Sequence, residues 1–315
     1  MSGIILGNLP FVGVSYRGHH HARFLAREFS SHAAMRTLHE QAVQSRIREF
    51  AIQVPENDQM KIHWEILSEI SNNHPDVSII PNIGISLLLD GEPLDVYRRW
   101  ATVIWSYKEN TEKILRIVTK DKILQCRPNW EFLISKAVKE NQKLSVKEIE
   151  RVKLDLESIK RAIEKLAVFK IEFLEFGSEV DFLVASGRID IIEELVDLGQ
   201  TYGYPVGFGV HHAALTLPTL ERIEKIKGIL TPINPIGMMM FPSQVEALKA
   251  IRNVQNREKR LIAIKALAGG LHPQVKESLR FLTQEGIKRF MIGVSSLSEL
   301  KEVVNEWNEL ITVLS

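Results

Sequence analysis

The sequence predicts an α/β protein, a single (β/α)8 TIM barrel spanning residues 1–315 with an elaborated segment near residues 77–145. Apolar runs of strand length alternate with helical patterns along the whole chain, and strands joined by helices form parallel sheets. No early Gly-x-Gly-x-x-Gly turn supports the alternative, an open doubly wound sheet. The sequence offers about nine strand candidates, whereas a barrel has about eight strands. The segment 77–91 is expected to lie outside it, because Pro81 and Gly84 interrupt the pattern.

The strand candidates share short apolar runs rich in β-branched or aromatic residues. In chain order they are FVGVSY (11–16), EFAIQV (49–54), part of 77–91, KILQCRP (122–128), FKIEFLEFG (169–177), PVGFGVH (205–211), GILTPIN (228–234), LIAIKALA (261–268) and FMIGVS (290–295). Helical spacing fills the connections, with one long helix expected at 92–118. Ser145 with Glu148, and Ser296 with Glu299, have the spacing of capping boxes at helix starts.

The composition indicates an ordinary soluble protein. The 315 residues are 45% hydrophobic and 25% charged, with a formal net charge of +1. Such a balance gives no bulk attraction to nucleic acid or to a membrane surface. One cysteine excludes an internal disulfide framework and fits a reducing compartment, and no uncharged run reaches transmembrane length. We therefore expect a cytoplasmic protein that binds a small molecule. Its apolar helix faces are compatible with a homo-oligomer.

Alternation along the strands places polar side chains inside the barrel. By this rule Ile262, Ile264 and Phe173 face the helices. The polar residues expected inside are Ser15, Gln53, Arg127, Glu172, His211, Asn234, Lys265 and Ser295. Barrel interiors are normally apolar, and buried polar groups are costly unless paired. The set therefore predicts a site, although a structural salt bridge such as Glu172 with Lys265 would explain single members.

These residue types suggest particular roles. Lys265 could form a Schiff base or act as an acid with a pKa lowered by burial, and Glu172 and His211 could be general acids or bases. Arg127 could hold a carboxylate or phosphate through two parallel hydrogen bonds. The expected substrate-binding residues are Arg127, Asn234, Gln53 and Ser15.

The last two strands end in small residues, which predicts a phosphate site. The last two strand ends of a TIM barrel commonly hold phosphate, and a helix N-terminus favours an anion. The residues concerned are Gly269, Gly270, Gly293, Ser295 and Ser296. The alternative is that the glycines only turn the chain and Ser296 only caps a helix.

Two histidine clusters, His19–His21 and His211-His212, are expected at the barrel mouth. A metal site would need a further ligand, such as Glu172. The spacing matches no metal motif, so solvent-exposed histidines are the preferred interpretation and no metal ligand is predicted. Cys126 is expected to be a buried, inert thiol.

The chain resembles the aldo/keto reductases, most clearly over its last third. PVGFGVHHAALTLPTLERI, GILTPINPIG, LIAIKALAGG and MIGVSSLSELKEVV are similar to successive strand–helix segments of that family, and SRIREFAIQ to an earlier one. The resemblance implies a barrel and makes NADPH a candidate cofactor. Its cofactor-phosphate region corresponds to Gly293, Ser295, Ser296 and Ser298, with Lys301 as the only nearby basic residue.

The family's Asp/Tyr/Lys/His tetrad does not carry over. Ala51 or Ile52 stands at the aspartate position, Arg127 at the lysine strand, and Glu175 or Gly177 at the histidine position. Carbonyl reduction by that tetrad is therefore not expected. The sequence favours an enzyme acting on a small anionic or phosphorylated molecule at the C-terminal mouth. The alternatives are a non-catalytic descendant that binds a nucleotide or a partner, and a metal-dependent lyase or isomerase.

Overall fold

The computed structural model describes residues 3–255 and 259–314, and its strands confirm the predicted barrel. In chain order the strands are β1 (Ile4–Leu6), β2 (Glu49–Gln53), β3 (Ser78–Ile83), β4 (Leu87–Leu89), β5 (Glu92–Pro93), β6 (Val152–Leu154), β7 (Leu174–Phe176), β8 (Val206–Gly209), β9 (Ile226–Pro232), β10 (Arg260–Ile264) and β11 (Phe290–Ile292). Eight of them close a parallel barrel in the order β1-β11-β10-β9-β8-β7-β3-β2. The other three form a small antiparallel sheet, β5-β4-β6.

Helices connect the barrel strands and cover the outside. They are α1 (His19–Glu28), α2 (His32–Gln44), α3 (Asp58–Asn73), α4 (Val96–Ser106), α5 (Thr111–Lys120), α6 (Trp130–Lys139), α7 (Val146–Arg151), α8 (Leu156–Glu164), α9 (Val180–Ala185), α10 (Ile189–Thr201), α11 (Ala213–Leu220), α12 (Gln244–Gln255), α13 (Val275–Gln284) and α14 (Leu297–Leu314). Their apolar sides pack on outward strand residues such as Phe50, Phe208 and Phe290 in one large core. Among the described helices, none has both the length and the apolar character needed to cross a bilayer.

The first strand was predicted wrongly at residues 11–16. The barrel instead begins with β1, whose three residues are fully buried. Leu9–Val12 is a 3-10 helix with Pro10 in its first turn, and Gly13 ends it with a φ of 73°. Proline lacks the N–H that a strand ladder needs, so this apolar segment turns across the barrel mouth.

The exclusion of segment 77–91 was also wrong, because β3 is a barrel strand. Pro81 is tolerated because the pairing of β3 with β7 is interrupted there. Ile79 bridges to Ile171, and regular pairing resumes only at Asn82, opposite Glu175. The missing N–H of Pro81 therefore falls in a gap of the ladder.

The strand predicted at 122–128 does not form. Its centre is the 3-10 turn Leu124–Cys126. The carboxylate of Asp121 accepts hydrogen bonds from the backbone N–H groups of Ile123 and Leu124, at 3.0 and 3.2 Å. This side-chain capping bends the backbone and prevents an extended conformation.

The elaborated segment lies between β3 and β7, further along the chain than predicted. It holds the small sheet and α4 to α8, and the single helix expected at 92–118 is divided into α4 and α5. The capping box of Ser145 and Glu148 is confirmed at the start of α7. A second apolar cluster around Trp130 fills this segment and includes Met239 and Phe241 from the connection after β9. The segment is thereby fixed to the mouth of the barrel.

In β10 and in the residues just before β7, large apolar side chains that were predicted to face the helices point into the barrel. Ile262 and Ile264 of β10 and Phe173 before β7 point into the barrel. Gly207 and Gly228 make room for the Phe173 ring, since a Cβ on either glycine would lie 2.7 Å from it. The parity argument failed because the interior of the barrel is itself a packed apolar core.

Candidate active site

A cavity of about 1030 Å³ opens at the carboxyl ends of the barrel strands. Its volume is at the upper end of the usual range for small-molecule sites. It is lined by polar side chains from several strands together with residues of the connections after β1, β10 and β11. The lining residues with polar or charged side chains include Ser15, Arg17, His21, Gln53, Asn82, Glu175, Glu179, His211, Lys265 and Glu299.

Lys265 lies at the centre of the polar group. It follows β10 with a left-handed φ of 54°, so its side chain enters the cavity although strand parity would not bring it there. Its Nζ lies 3.2 Å from Nε2 of His211 and 5.7 Å from the centre of the Tyr16 ring. Among the described residues, no carboxylate forms an ion pair with this amine. Burial lowers the pKa of Lys265 to about 8, while Glu175 and Asp121 act to raise it.

His211 is positioned by a buried carboxylate. Oδ2 of Asp181 accepts hydrogen bonds from the backbone N–H groups of His211 and His212, at 2.8 and 3.1 Å, and Oδ1 accepts one from the Thr216 hydroxyl at 2.6 Å. Burial, and then the charge of Lys265, hold the pKa of His211 well below its ordinary value. His211 is therefore a neutral partner for Lys265 at physiological pH.

Glu172 was predicted as a catalytic residue, but it lies at the opposite end of the barrel. It forms ion pairs with Arg260, at the start of β10, and with Arg289. The acid at the mouth is Glu175, whose pKa is raised to about 7 by burial, with a hydrogen bond from Asn82 acting against the rise. Phe173 and Glu175 lie on the same side of the strand. Glu175 was missed because Phe173 was predicted to face the helices, whereas it points into the barrel.

The four expected substrate-binding residues separate into two pairs. Gln53 and Ser15 line the cavity. Asn234 does not, because its amide group bonds the backbone N–H and C=O of Met238, both at 2.9 Å, and so braces a turn. Arg127 follows the 3-10 turn instead of ending a strand, and its guanidinium stacks 5.2 Å from the centre of the Trp130 ring.

Donors expected to bind phosphate already hold a carboxylate. The backbone N–H and hydroxyl of Ser295 donate to Oε2 of Glu299, at 2.6 and 2.8 Å, and the N–H of Glu299 donates to the Ser296 hydroxyl at 3.2 Å. Ser296 also bonds Ser298, and neither contributes to the cavity lining. Half of the predicted capping box is present: the Ser296 hydroxyl accepts from the N–H of Glu299, whereas the glutamate carboxylate accepts from Ser295 in place of Ser296. Phosphate binding here remains a prediction, and the geometry opposes it.

The glycines predicted for phosphate line the cavity, but parts of this chain approach them closely. A Cβ on Gly269 would lie 2.8 Å from the Tyr16 ring, and one on Gly270 would lie 2.9 Å from Cδ of Arg17. A Cβ on Gly293 would lie 2.7 Å from Pro10. These glycines therefore allow the connection after β1 to pack across the mouth.

The NADPH implied by the sequence resemblance does not fit the connection between β11 and α14. Its phosphates would meet Glu299, whose carboxylate occupies the donors, and Glu302, which also lines the cavity. Lys301, the one basic residue expected nearby, is exposed and does not line the cavity. Two anions facing phosphate would repel it.

The histidine clusters do not meet in a metal site. His21 and His211 line the cavity, and His212 is buried with Nδ1 2.9 Å from the Tyr107 hydroxyl. Within residues 3–255 and 259–314, no three His, Cys, Asp or Glu side chains are grouped to hold a metal ion. Cys126 is partly exposed, with its thiol 3.0 Å from the carbonyl oxygen of Tyr16.

Solved structures share this fold at low sequence identity. Two structures of a proposed aldo-keto reductase from Pseudomonas aeruginosa align with TM-scores of 0.55 and 0.57 and identities of 12% and 13%. Each covers 98% of this chain, and the alignments span 91% and 90% of those chains. A sugar phosphate isomerase/epimerase from Parabacteroides distasonis aligns at 0.41, with 11% identity, over 98% of this chain and 97% of its own. No family model and no curated protein matches. The two Pseudomonas aeruginosa structures show that the chain has an aldo-keto reductase-like barrel fold.

Proposed function

We propose that the protein is an enzyme acting on a small carbonyl compound at the C-terminal mouth, with Lys265 as the nucleophile. The observation that carries this proposal is the buried amine of Lys265, which faces neutral His211 at 3.2 Å and has no carboxylate ion-pair partner among the described residues. A buried lysine without a counter-ion loses its proton more readily, and a neutral amine attacks carbonyl carbon.

The chemistry follows from this geometry. The neutral Nζ of Lys265 adds to the carbonyl carbon to give a carbinolamine. Protonated Glu175 gives its proton to the carbinolamine hydroxyl, which leaves as water, so that a protonated Schiff base and the Glu175 carboxylate are formed. The C=N⁺ bond accepts the electron pair left when a proton leaves the neighbouring carbon. Glu175 is the base for this proton, because burial raises its pKa to about 7 and matches it to proton transfer near neutral pH. Return of the proton to the opposite face of that carbon, followed by addition of water to the C=N⁺ bond, releases the isomerised carbonyl compound. The proton set free in this hydrolysis returns to Glu175, and the neutral amine of Lys265 is restored.

His211 and Tyr16 have supporting roles. His211 orients the amine through Nε2, and Tyr16 places its ring beside Nζ. This division of roles supports isomerase or lyase chemistry. It differs from carbonyl reduction by the aldo/keto reductase tetrad.

Borohydride trapping tests the proposal. The purified protein is incubated with dihydroxyacetone phosphate, dihydroxyacetone or pyruvate and reduced, and the modified peptide is located by mass spectrometry. We expect one adduct, on Lys265, and none in Lys265→Met. Lys249→Met is the matched control, because Lys249 is exposed on α12 outside the cavity. Adducts spread over exposed lysines, or unchanged in Lys265→Met, would overturn the proposal.

A further inference from the structure

The cavity rim holds a guanidinium group that has no acidic partner among the described residues. Arg17 lines the cavity, is exposed to it, and forms no ion pair with any carboxylate of the described residues. Through its guanidinium, NH1 lies 3.3 Å from Nε2 of His21. The carboxylate of Glu299, which also lines this cavity, is bonded to Ser295 instead.

The position of Arg17 is fixed from two sides. Its aliphatic stem lies against Gly270, where a Cβ would come within 2.9 Å of Cδ and 3.2 Å of Cγ. Gly270 has a φ of 85°, a conformation that other residues rarely adopt. On the other side, the backbone N–H of Arg17 donates to the Ser15 hydroxyl at 3.0 Å. An arginine held in this way loses less conformational entropy when it binds a ligand.

The hydrogen bonds also leave a hydroxyl donor free. A guanidinium can only donate, so Nε2 of His21 accepts and the ring proton lies on Nδ1. Nδ1 lies 2.7 Å from Ser15 Oγ and donates to it, which gives this oxygen two incoming hydrogen bonds. Ser15 must therefore donate its own proton elsewhere, and it lines the cavity. Burial, and then Arg17, lower the pKa of His21, which agrees with the neutral ring this arrangement needs.

We infer that Arg17 and Ser15 form the anchor for an oxyanion of the substrate, so that the carbonyl compound carries a carboxylate or phosphate group. This inference rests on the proposed carbonyl chemistry at Lys265. The anchor and the nucleophile belong to one cavity, because the ring of Tyr16, next to Arg17, lies 5.7 Å from Lys265 Nζ. The predicted anionic substrate is then bound beside the connection after β1, where Arg17 and Ser15 lie.

Charged and neutral ligands test the anchor. We expect dihydroxyacetone phosphate to be trapped on Lys265 at concentrations about tenfold or more below those needed for neutral dihydroxyacetone, since a charge-assisted hydrogen bond contributes about that factor or more. Arg17→Gln removes this preference, and Ser15→Ala reduces it. Arg23→Gln is the matched control: Arg23 makes a similar contact to His20, at 3.3 Å, but does not line the cavity. A preference for pyruvate over acetone, lost in Arg17→Gln, would identify a carboxylate instead of a phosphate.

A second measurement separates this inference from the proposed function. Binding of inorganic phosphate is followed by calorimetry and needs no carbonyl chemistry. Phosphate binding that is weakened about tenfold in Arg17→Gln and kept in Arg23→Gln supports the anchor even if no Schiff base is trapped. Trapping on Lys265 with a charge preference unchanged in Arg17→Gln overturns the anchor and leaves the nucleophile. Absence of both trapping and phosphate binding in the unmodified protein overturns both.

Discussion

Nζ of Lys265 lies 3.2 Å from Nε2 of His211, and the two residues follow β10 and β8, which are separated in the barrel by β9. Neither is in a strand, and each reaches the cavity through the local turn that follows its strand. Lys265 does so by its left-handed backbone conformation, and His211 by the hydrogen bond of its N–H to Asp181. The pair is therefore sensitive to changes in these turns.

Trapping on Lys265 should depend on pH with a midpoint well below that of an ordinary lysine. Burial lowers the pKa of Lys265 to about 8, whereas exposed lysines titrate near about 10.4. The neutral amine is the nucleophile, so the initial trapping rate should rise about tenfold per pH unit below about 8 and level off above it. The measurement is the rate of adduct formation with saturating cyanoborohydride. A rate that still rises steeply above about pH 9 would contradict the lowered pKa.

Asp181 should act as a positioning residue for His211. Asp181→Ala leaves two backbone N–H groups and the Thr216 hydroxyl unpaired, and we expect it to lower the free energy of unfolding by about 3 kcal/mol and the trapping rate about tenfold or more. Asp181→Asn retains a carbonyl oxygen that can accept from His211. It should therefore recover most of the trapping rate with the same pH midpoint. Equal losses of rate in both variants, measured on folded protein, would show that the charge and not the positioning matters.

Removing the Glu299 carboxylate should expose the donors of Ser295. We expect Glu299→Ala to bind inorganic phosphate at least about threefold more tightly than the unmodified protein, because an anion no longer competes for these donors. The loss of the cap should lower the free energy of unfolding by about 1 kcal/mol. Calorimetric titration and chemical denaturation measure the two effects. Unchanged phosphate affinity would exclude a phosphate site at Ser295 and Ser296.

A buried histidine pair should make the protein sensitive to acid. Nε2 of His39 lies 3.1 Å from Nε2 of His63, and Nδ1 of His39 lies 2.8 Å from the carbonyl oxygen of Met35. Burial lowers the pKa of His39 to about 4 and that of His63 well below its ordinary value. The two histidines bind protons below about pH 6.5 in the unfolded chain but only at lower pH in the folded protein. Their contribution to the free energy of unfolding is therefore complete above about pH 6.5. It falls toward about pH 4, by up to about 1.4 kcal/mol per pH unit for each histidine.

The double variant His39→Gln, His63→Gln isolates this contribution. Its free energy of unfolding, measured by denaturant titration between about pH 7 and 5, should decrease less steeply than that of the unmodified protein. The raised pKa values of Glu175 and Asp181 favour the folded state toward acid, but they are present in both proteins and cancel in the comparison. Equal slopes would refute the role of the pair.

The sequence alone determined the barrel, because alternating apolar periods are a local property that every strand and helix repeats. It also placed Lys265, His211, Gln53 and Ser15 at the mouth, where all four line the cavity. Lys265 and Ser15 reach it, however, through a left-handed turn and through the connection after β1, and not through the predicted strand alternation. Local capping chemistry was equally readable, as the box at Ser145 shows. These features depend on neighbours within a few positions along the chain.

Only the tertiary structure decided which polar groups meet. Glu172 and Glu175 are three positions apart, yet the first pairs with arginines at one end of the barrel and the second lies in the cavity at the other. Phe173 and Glu175 both point into the barrel, and the sequence analysis had the opposite facing because the residues of this strand do not show which of its two sides packs inside. Likewise, Gly270 supports Arg17 because two connections distant in sequence cross at the mouth. Periodicity specifies elements, whereas the site depends on contacts between elements that no local pattern encodes.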